Sequence, residues 1–168
     1  MAVVETGNPY QDASMNVRAV LRADTDVTAQ IASASIDCVL RTEFKRHTLP
    51  RIDIGPAGVE EERDGVNTIQ TATVPVIVWV VKVDTTSSPE FDQVTDLVGL
   101  IRTALLADQQ VSVADEGQVA NGWGDEFVGL SGDLFEAQED ENSFVIGAEL
   151  EVVIERTVNT LQPGQYSG

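Results

Sequence analysis

A single α+β domain, with an antiparallel sheet of about four strands and two main helices on one face, is predicted by three features of this chain. The first is the stretch Asn67 to Asp84. There Ile69, Thr71, Thr73, Ile77, Trp79, Val81 and Val83 fall on one face of an extended chain, and Val74, Val76, Val78 and Val80 on the other. The second is Ser143 to Val158, where Phe144, Ile146, Ala148, Leu150, Val152 and Ile154 alternate with a largely acidic set, a period-2 pattern with one buried and one wet face. The third is the spacing of Phe91, Val94, Val98, Ile101 and Leu105, widened by Leu97 and Leu100, which marks an amphipathic helix. Strand runs and helical runs in this order give an α+β layout rather than a repeating βαβ one. The 168 residues fit one domain with a core of its own.

In chain order, residues 1–11 read as an N-terminal arm that is flexible or docks elsewhere, with a turn at Gly7-Asn8-Pro9. The domain proper spans 12–158. Val17, Val20, Leu21, Val27 and Ile31 recur at helical spacing, as one bent helix or two short ones capped near Asp24 or Thr25. Arg22 and Asp26 stand four apart, the spacing of a helical ion pair. Ile36, Cys38 and Leu40 then alternate as in a strand, and Pro50 to Ile54 forms another. Glu60-Glu61-Glu62-Arg63-Asp64-Gly65 reads as a charged turn. Pro75 cannot donate to a ladder, so a bulge or an edge position is expected there.

The helix after the long strand starts near Ser87, whose spacing to Glu90 suits a capping box, and is expected to end near Asp108. Beyond it, Val111 and Val113 suggest a brief strand in a polar stretch. Phe127 to Glu136 and Ser143 to Val158 form a hairpin through Glu139-Asp140-Glu141-Asn142, and 159–168 read as a mobile tail.

Charge excludes some functions. Ten Lys plus Arg stand against 28 Asp plus Glu, a net charge of −18. Wrapping nucleic acid needs cationic side chains that displace counterions from phosphates, and this balance opposes it. The acidity reads either as a solubilising surface suited to high salt or as an anionic surface to which DNA does not adhere. No apolar run is long enough to span a bilayer. The N-terminus lacks the pattern of a secretory signal, and the compartment reads as cytoplasmic.

Catalytic material is scarce. His47 is the sole histidine, and its neighbours Lys45 and Arg46 supply no orienting carboxylate. Cys38 is the sole cysteine, which excludes an internal disulfide and a thiolate cluster, and beside Val39-Leu40 it reads as a small buried hydrophobe. The acidic group Asp133, Glu136, Glu139, Asp140 and Glu141 lacks the spacing of a calcium loop and reads as a solvated turn. No enzyme activity, cofactor or metal is expected. Two features point to partners instead. Six of the ten positive charges gather at Arg18, Arg22, Arg41, Lys45, Arg46 and Arg51, either as a solvated loop or as a docking patch for an acidic neighbour. Trp123, in the polar loop Gly122-Trp123-Gly124, is either an interface anchor or a cover for its own core.

The order of these parts resembles a known family. A helix carries Val17-Arg18-Ala19-Val20-Leu21-Arg22-Ala23-Asp24 and Val27-Thr28-Ala29-Gln30-Ile31. The strand Leu49-Pro50-Arg51-Ile52-Asp53-Ile54, the charged turn and the valine-rich strand follow. The Phe91–Leu105 helix and a hairpin ending Ala148-Glu149-Leu150-Glu151-Val152-Val153-Ile154 complete it. Over residues 12–157 this is similar to the tail-terminator (tail completion) proteins of long-tailed phages and related tailed viruses. The resemblance implies a structural virion protein of the tail or neck, assembled in the host cytoplasm. It implies a homo-hexameric ring that caps the tail tube, ends its polymerisation and joins it to the head-closure or connector protein. DNA passes through such a ring without specific binding.

On that reading Arg41, Lys45, Arg46, Arg51 and Trp123 are expected at the subunit interface. Glu60, Glu61, Glu62, Glu139, Asp140 and Glu141 are expected at the ring lumen. Two other readings stay open: another neck or tail ring component (head-closure or tube subunit), and an acidic cytosolic binding module of a salt-adapted organism.

Overall fold

The computed structural model describes residues 8–39, 49–83, 88–114, 126–140, 143–159 and 166–167. Helix α1 (Pro9–Ala23) starts where Asn8, extended, accepts the Tyr10 N–H on its side chain and Pro9 fills the first turn. Asp24 ends α1, its N–H donating to the Val20 carbonyl at 3.2 Å, and caps α2 (Thr25–Gln30) by accepting from the N–H groups of Asp26 and Val27. One aspartate thus divides the predicted helical stretch in two. Arg22 does not pair with Asp26. Its Nε donates instead to the Ile36 carbonyl at 2.7 Å, because the side chain turns toward the adjacent strand.

Strands β1 (Ile36–Cys38), β2 (Arg51–Ile54), β3 (Gly58–Asp64) and β4 (Asn67–Val83) come next. Helix α3 (Ser88–Ala114), strands β5 (Glu126–Asp140) and β6 (Ser143–Asn159), and a two-residue β7 (Tyr166–Ser167) complete the order. The α+β domain is as predicted, but the sheet is larger and mixed. Its order is β1-β2-β4-β6-β5; β3 continues the β2 side of β4, and β7 pairs with β6. The β1–β2 pair is parallel. The strands not expected from the sequence are β3, whose charged residues read as a turn, and the two-residue β7 in the expected tail.

The Glu60–Asp64 stretch is strand, not turn. Its residues pair one for one with Asn67–Thr71, and the reversal is confined to Gly65-Val66, where Gly65 takes a φ of 62°. All five residues from Glu60 to Asp64 are charged and exposed, which suits an edge strand, since charges deter pairing with other chains.

Pro75 is not at an edge; it lies where the register slips by one residue, with Gly55 to Ala57 opposite Val74 and Pro75 between the Ile54–Val76 and Gly58–Thr73 pairs, a bulge in the strand facing it. It sits opposite Glu151 of β6 and its carbonyl accepts the Gly55 N–H at 2.8 Å. In an antiparallel strand the N–H and C=O of one residue point the same way. The donor that proline lacks therefore faces the interruption between β2 and β3, where no ladder acceptor is needed. A second irregularity, in the pairing of β4 with β6, falls between Trp79 and Val81.

Helix α3 runs past the expected end at Asp108 to Ala114, so Val111 and Val113 belong to its last turn rather than to a strand. Its Val94, Leu97, Ile101, Ala104 and Leu105 are buried, while Asp92, Asp96 and Arg102 face out as expected. These residues meet Val17, Val20 and Leu21 of α1 over one face of the sheet, built from Val74, Val76, Val78, Ile146, Ala148, Leu150, Val152 and Ile154. The hairpin of β5 and β6 is present, but its loop is shorter than predicted, since Asp140 pairs with Ser143. Tyr166 and Ser167 pair with Val158 and Thr157, so this part of the expected mobile tail is held on the sheet.

Candidate protein-interaction surfaces

Three surfaces stand out, and each follows from a local pattern. The first is the sheet face turned away from the helices. In antiparallel pairing, residues directly opposite share a face. One row therefore reads Asp53, Ile77, Glu149 and Asp133. Other rows read Pro75, Glu151 and Ser131, then Glu60, Thr71 and Glu155, then Glu62, Ile69 and Thr157. Glu60, Glu62, Asp133, Glu149 and Glu151 are exposed and Glu155 is half-buried, with the Thr71 hydroxyl 3.5 Å from its carboxylate. No basic residue interrupts these rows. This part of the sheet face is therefore anionic.

At one end this face changes character. Ile77, Trp79 and Val145 are buried there, with Leu49 and Phe135 packed against them. The rings of Trp79 and Phe135 meet edge to face, 5.1 Å between centroids. They lie over Gly147, which pairs with both; a Cβ there would collide with the Val78 carbonyl oxygen and crowd the Phe135 ring. Asp53 is 1% exposed and accepts the Trp79 indole N–H at 3.0 Å. The Arg51 guanidinium pairs with the other Asp53 oxygen, its Nε at 2.9 Å. Arg51 is thus committed to a partner within its own chain, with a side chain only 15% exposed. The alternation Arg51-Ile52-Asp53-Ile54 held the signal for this cluster, since it sends Arg51 and Asp53 to the face opposite the helices.

The second surface is the outer edge of β1. Val39 donates inward to the Ile54 carbonyl, so the Ile36 carbonyl and the Cys38 N–H point outward. Side chains occupy both. Arg22 Nε donates to the Ile36 carbonyl, and Asp37 Oδ1 accepts from the Cys38 N–H at 2.8 Å. Asp37 also holds Arg18 at 2.9 Å and lies 3.6 Å from Arg22. The result blocks the strand edge at these two groups and leaves a corner with two positive charges around one negative.

The third is a groove of about 520 Å³ beside that corner, lined along α1 by Tyr10, Ser14, Met15 and Arg18 and across the sheet by Cys38, Ile54 and Pro56. The Ser14 hydroxyl donates to the Gly55 carbonyl at 2.7 Å and fixes the groove floor. Tyr10 stands at its mouth, 52% exposed. Burial pushes the Cys38 thiol above its ordinary pKa of 9.0, with Arg18 and Arg22 opposing and Asp37 reinforcing the shift. A thiol held protonated is a poor nucleophile.

Of the other residues picked from sequence, Arg41, Lys45, Arg46, His47, Trp123 and Glu141 lie outside the described residues, as do the side chains of Glu139 and Asp140. The two acidic segments expected at one lumen are not neighbours. Glu60 to Glu62 sit level with Glu155 of β6, whereas Glu139 and Asp140 sit by Ser143 at the other end of the same strand. Twelve residues of strand separate the levels, roughly 40 Å at ~3.3 Å per residue. Glu61 also turns to the helix side, accepting from Gln70 Nε2 at 2.6 Å, and Gln70 in turn accepts from Arg156 Nε at 2.8 Å.

Among the described residues no group of three or more His, Cys, Asp or Glu side chains is placed to hold a metal ion, and no helix is long and apolar enough to cross a membrane. No protein-family model matches this chain, and no curated protein does. Among solved structures it is similar to a chain of the virion of a native gene transfer agent (GTA) particle. The identity is 17% over 83% of this chain and 91% of that one, with a TM-score of 0.39.

Proposed function

We propose that this chain is a structural virion subunit, a tail terminator that closes into a hexameric ring on the tail tube and joins it to the head-closure or connector protein. The sequence resemblance in the order of helices and strands motivates the reading. The observation that supports it most is the anionic sheet face, with Glu60, Glu62, Asp133, Glu149 and Glu151 exposed and no cation among them. Such a surface repels phosphates and offers no counterion-releasing contact, so DNA passing along it meets no sites that hold it.

In this reading the acidic part of the sheet face, from the Glu62 row to the Asp133 row, lines the bore rather than two acidic turns. Glu60 and Glu62 contribute at one end; Glu61 does not. Ring closure joins unlike patches on successive copies, and the cations Arg41, Lys45 and Arg46 meet carboxylates of the next copy, supplying register more than affinity.

The test is native mass measurement and imaging of the assembly. A six-fold ring at the end of a tail tube, with the sheet face inward, is expected. A stable monomer absent from purified particles would overturn the reading and favour the acidic binding module. A second arm separates bore from exterior: reversing Glu60, Glu62 and Glu149 to Lys slows DNA ejection if they line the bore, and unchanged ejection excludes that placement.

A further inference from the structure

We infer that β3 is a hinged strap on the edge of β4, held shut by the side-chain relay Glu61–Gln70–Arg156, and that it opens while the rest of the domain stays folded. This holds whether or not the chain is a tail terminator.

The two strands that share this edge of β4 are anchored differently. β2 sends Ile52 and Ile54 wholly into the core and carries β1 on its outer side. β3 has neither support. Six of its seven residues are exposed, and the exception, Val59, is half-buried. The Pro75 carbonyl faces Gly55, so by alternation the N–H and C=O groups of Thr73, Thr71, Ile69 and Asn67 face β3. Gly58, Glu60, Glu62 and Asp64 meet them, while the backbone groups of Val59, Glu61 and Arg63 point outward. Among the described residues nothing bonds to that outer side. β3 thus stands on one ladder with almost no apolar burial. Segments of this kind open locally at a fraction of the cost of global unfolding.

Charge works in the same direction. Four carboxylates and one guanidinium crowd the five residues from Glu60 to Asp64. Glu60 and Glu62 also share their face of the sheet with Glu155, so mutual repulsion is relieved when β3 moves away.

One contact opposes opening. Gln70 Nε2 donates to Glu61 Oε1 at 2.6 Å, and Arg156 Nε donates to Gln70 Oε1 at 2.8 Å. The three residues are direct neighbours across β3, β4 and β6. Gln70 is 7% exposed and Arg156 2%, so the inner end of the relay is fixed. Arg156 claims the amide oxygen, which turns the amide N–H donors toward Glu61. Among the described residues no other side chain of β3 bonds to β4 or β6. Arg63 reaches the Gly65 carbonyl in its own turn, at 3.5 Å.

The ends of the strap are set as well. At one end the Gly55 N–H holds the Pro75 carbonyl at 2.8 Å, and the Ala57 N–H donates to the Tyr10 carbonyl at 3.4 Å. At the other, the turn Gly65-Val66 returns the chain to β4. Opening between these points uncovers the β4 edge from Asn67 to Thr73 and leaves the β4–β6 ladder intact.

Amide exchange followed by NMR on the full-length protein tests this. The N–H groups of Glu60, Glu62, Ile69 and Thr71 lie between β3 and β4, and that of Asp53 lies between β2 and β4. The first four are expected to show roughly a hundredfold less protection than Asp53, with little dependence on added urea. Equal protection that falls in step with urea would show that β3 leaves only when the whole domain unfolds, and would overturn the strap. Glu61→Ala removes the exposed end of the relay and is expected to speed exchange at these four amides about tenfold, with Asp53 unchanged. Unaltered exchange at the four amides in that variant overturns the latch. A rise shared equally by Asp53 marks general destabilisation and overturns it too.

Discussion

The indole N–H of Trp79 donates to Asp53 Oδ2 at 3.0 Å on the sheet face opposite the helices, while Arg51 pairs with the other oxygen of the same carboxylate. One buried carboxylate thus serves a cation and a neutral donor, and ties β2 to β4 through side chains as well as through the ladder. Replacing Asp53 with Ala leaves the guanidinium and the indole without it. Breaking a buried pair from one side costs ~3–5 kcal/mol, and the partial exposure of Arg51 reduces this to ~2–4 kcal/mol. Urea denaturation at neutral pH measures it. A loss under ~1 kcal/mol would show that water replaces the carboxylate readily.

Gly147 is a second point of failure. Its missing side chain lets the Trp79 and Phe135 rings lie over the β4–β6–β5 ladder. The Gly147→Ala substitution forces strands or rings apart and is expected to destabilise by ~2 kcal/mol or more, as overpacked sites do. Thermal unfolding reads the loss. The Phe135→Ala/Gly147→Ala double variant recovers part of it if ring crowding contributes, and none if the Val78 carbonyl alone is responsible.

The edge of β1 predicts an association phenotype. The Arg22→Ala/Asp37→Ala double variant exposes the Ile36 carbonyl and the Cys38 N–H together. Open edges recruit other strands, so concentration-dependent association beyond that of the parent is expected in sedimentation velocity. Identical profiles for both chains would mean that the edge is blocked by something else.

Cys38 gives a pH dependence with a definite sign. Burial raises its pKa in the folded chain above the ordinary 9.0. A raised value means that the folded state keeps a proton the unfolded chain gives up. The associated stability is full below pH 9.0 and is lost as pH climbs through the folded-state pKa. A Cys38→Ala variant should lack this alkaline decline relative to the parent. The Arg18→Ala variant, which removes an opposing cation, should slow thiol labelling at fixed alkaline pH.

The net charge of −18 makes self-repulsion a term in stability. Raising salt from 0.1 to 1 M shortens the Debye length from about 10 to about 3 Å and is expected to raise the melting temperature. A flat response would exclude the salt-adapted reading of the acidity.

Much of the fold was legible because its signals were local and repeated. The alternation through Phe144 to Ile154, the two-faced run through Val74 to Val83 and the Val94–Leu105 stripe each span several periods. What escaped depended on partners distant in sequence. Glu60 to Asp64 look like a turn until Asn67 to Thr71 lie beside them. Pro75 looks like an edge residue until the gap between β2 and β3 is placed opposite it. Arg51 was legible as a cation but not as the partner of Asp53, because Trp79, which completes that cluster, lies 26 residues beyond Asp53.

The long pairing of β4 with β6, from Asn67 opposite Asn159 to Val83 opposite Phe144, also has a mechanical meaning. Opposed pulls on the two strands along their length load this ladder in shear, so its hydrogen bonds must give way together rather than unzip singly. A domain built on such a spine bears tension well along one axis and poorly across it, where a peeling force opens one bond at a time.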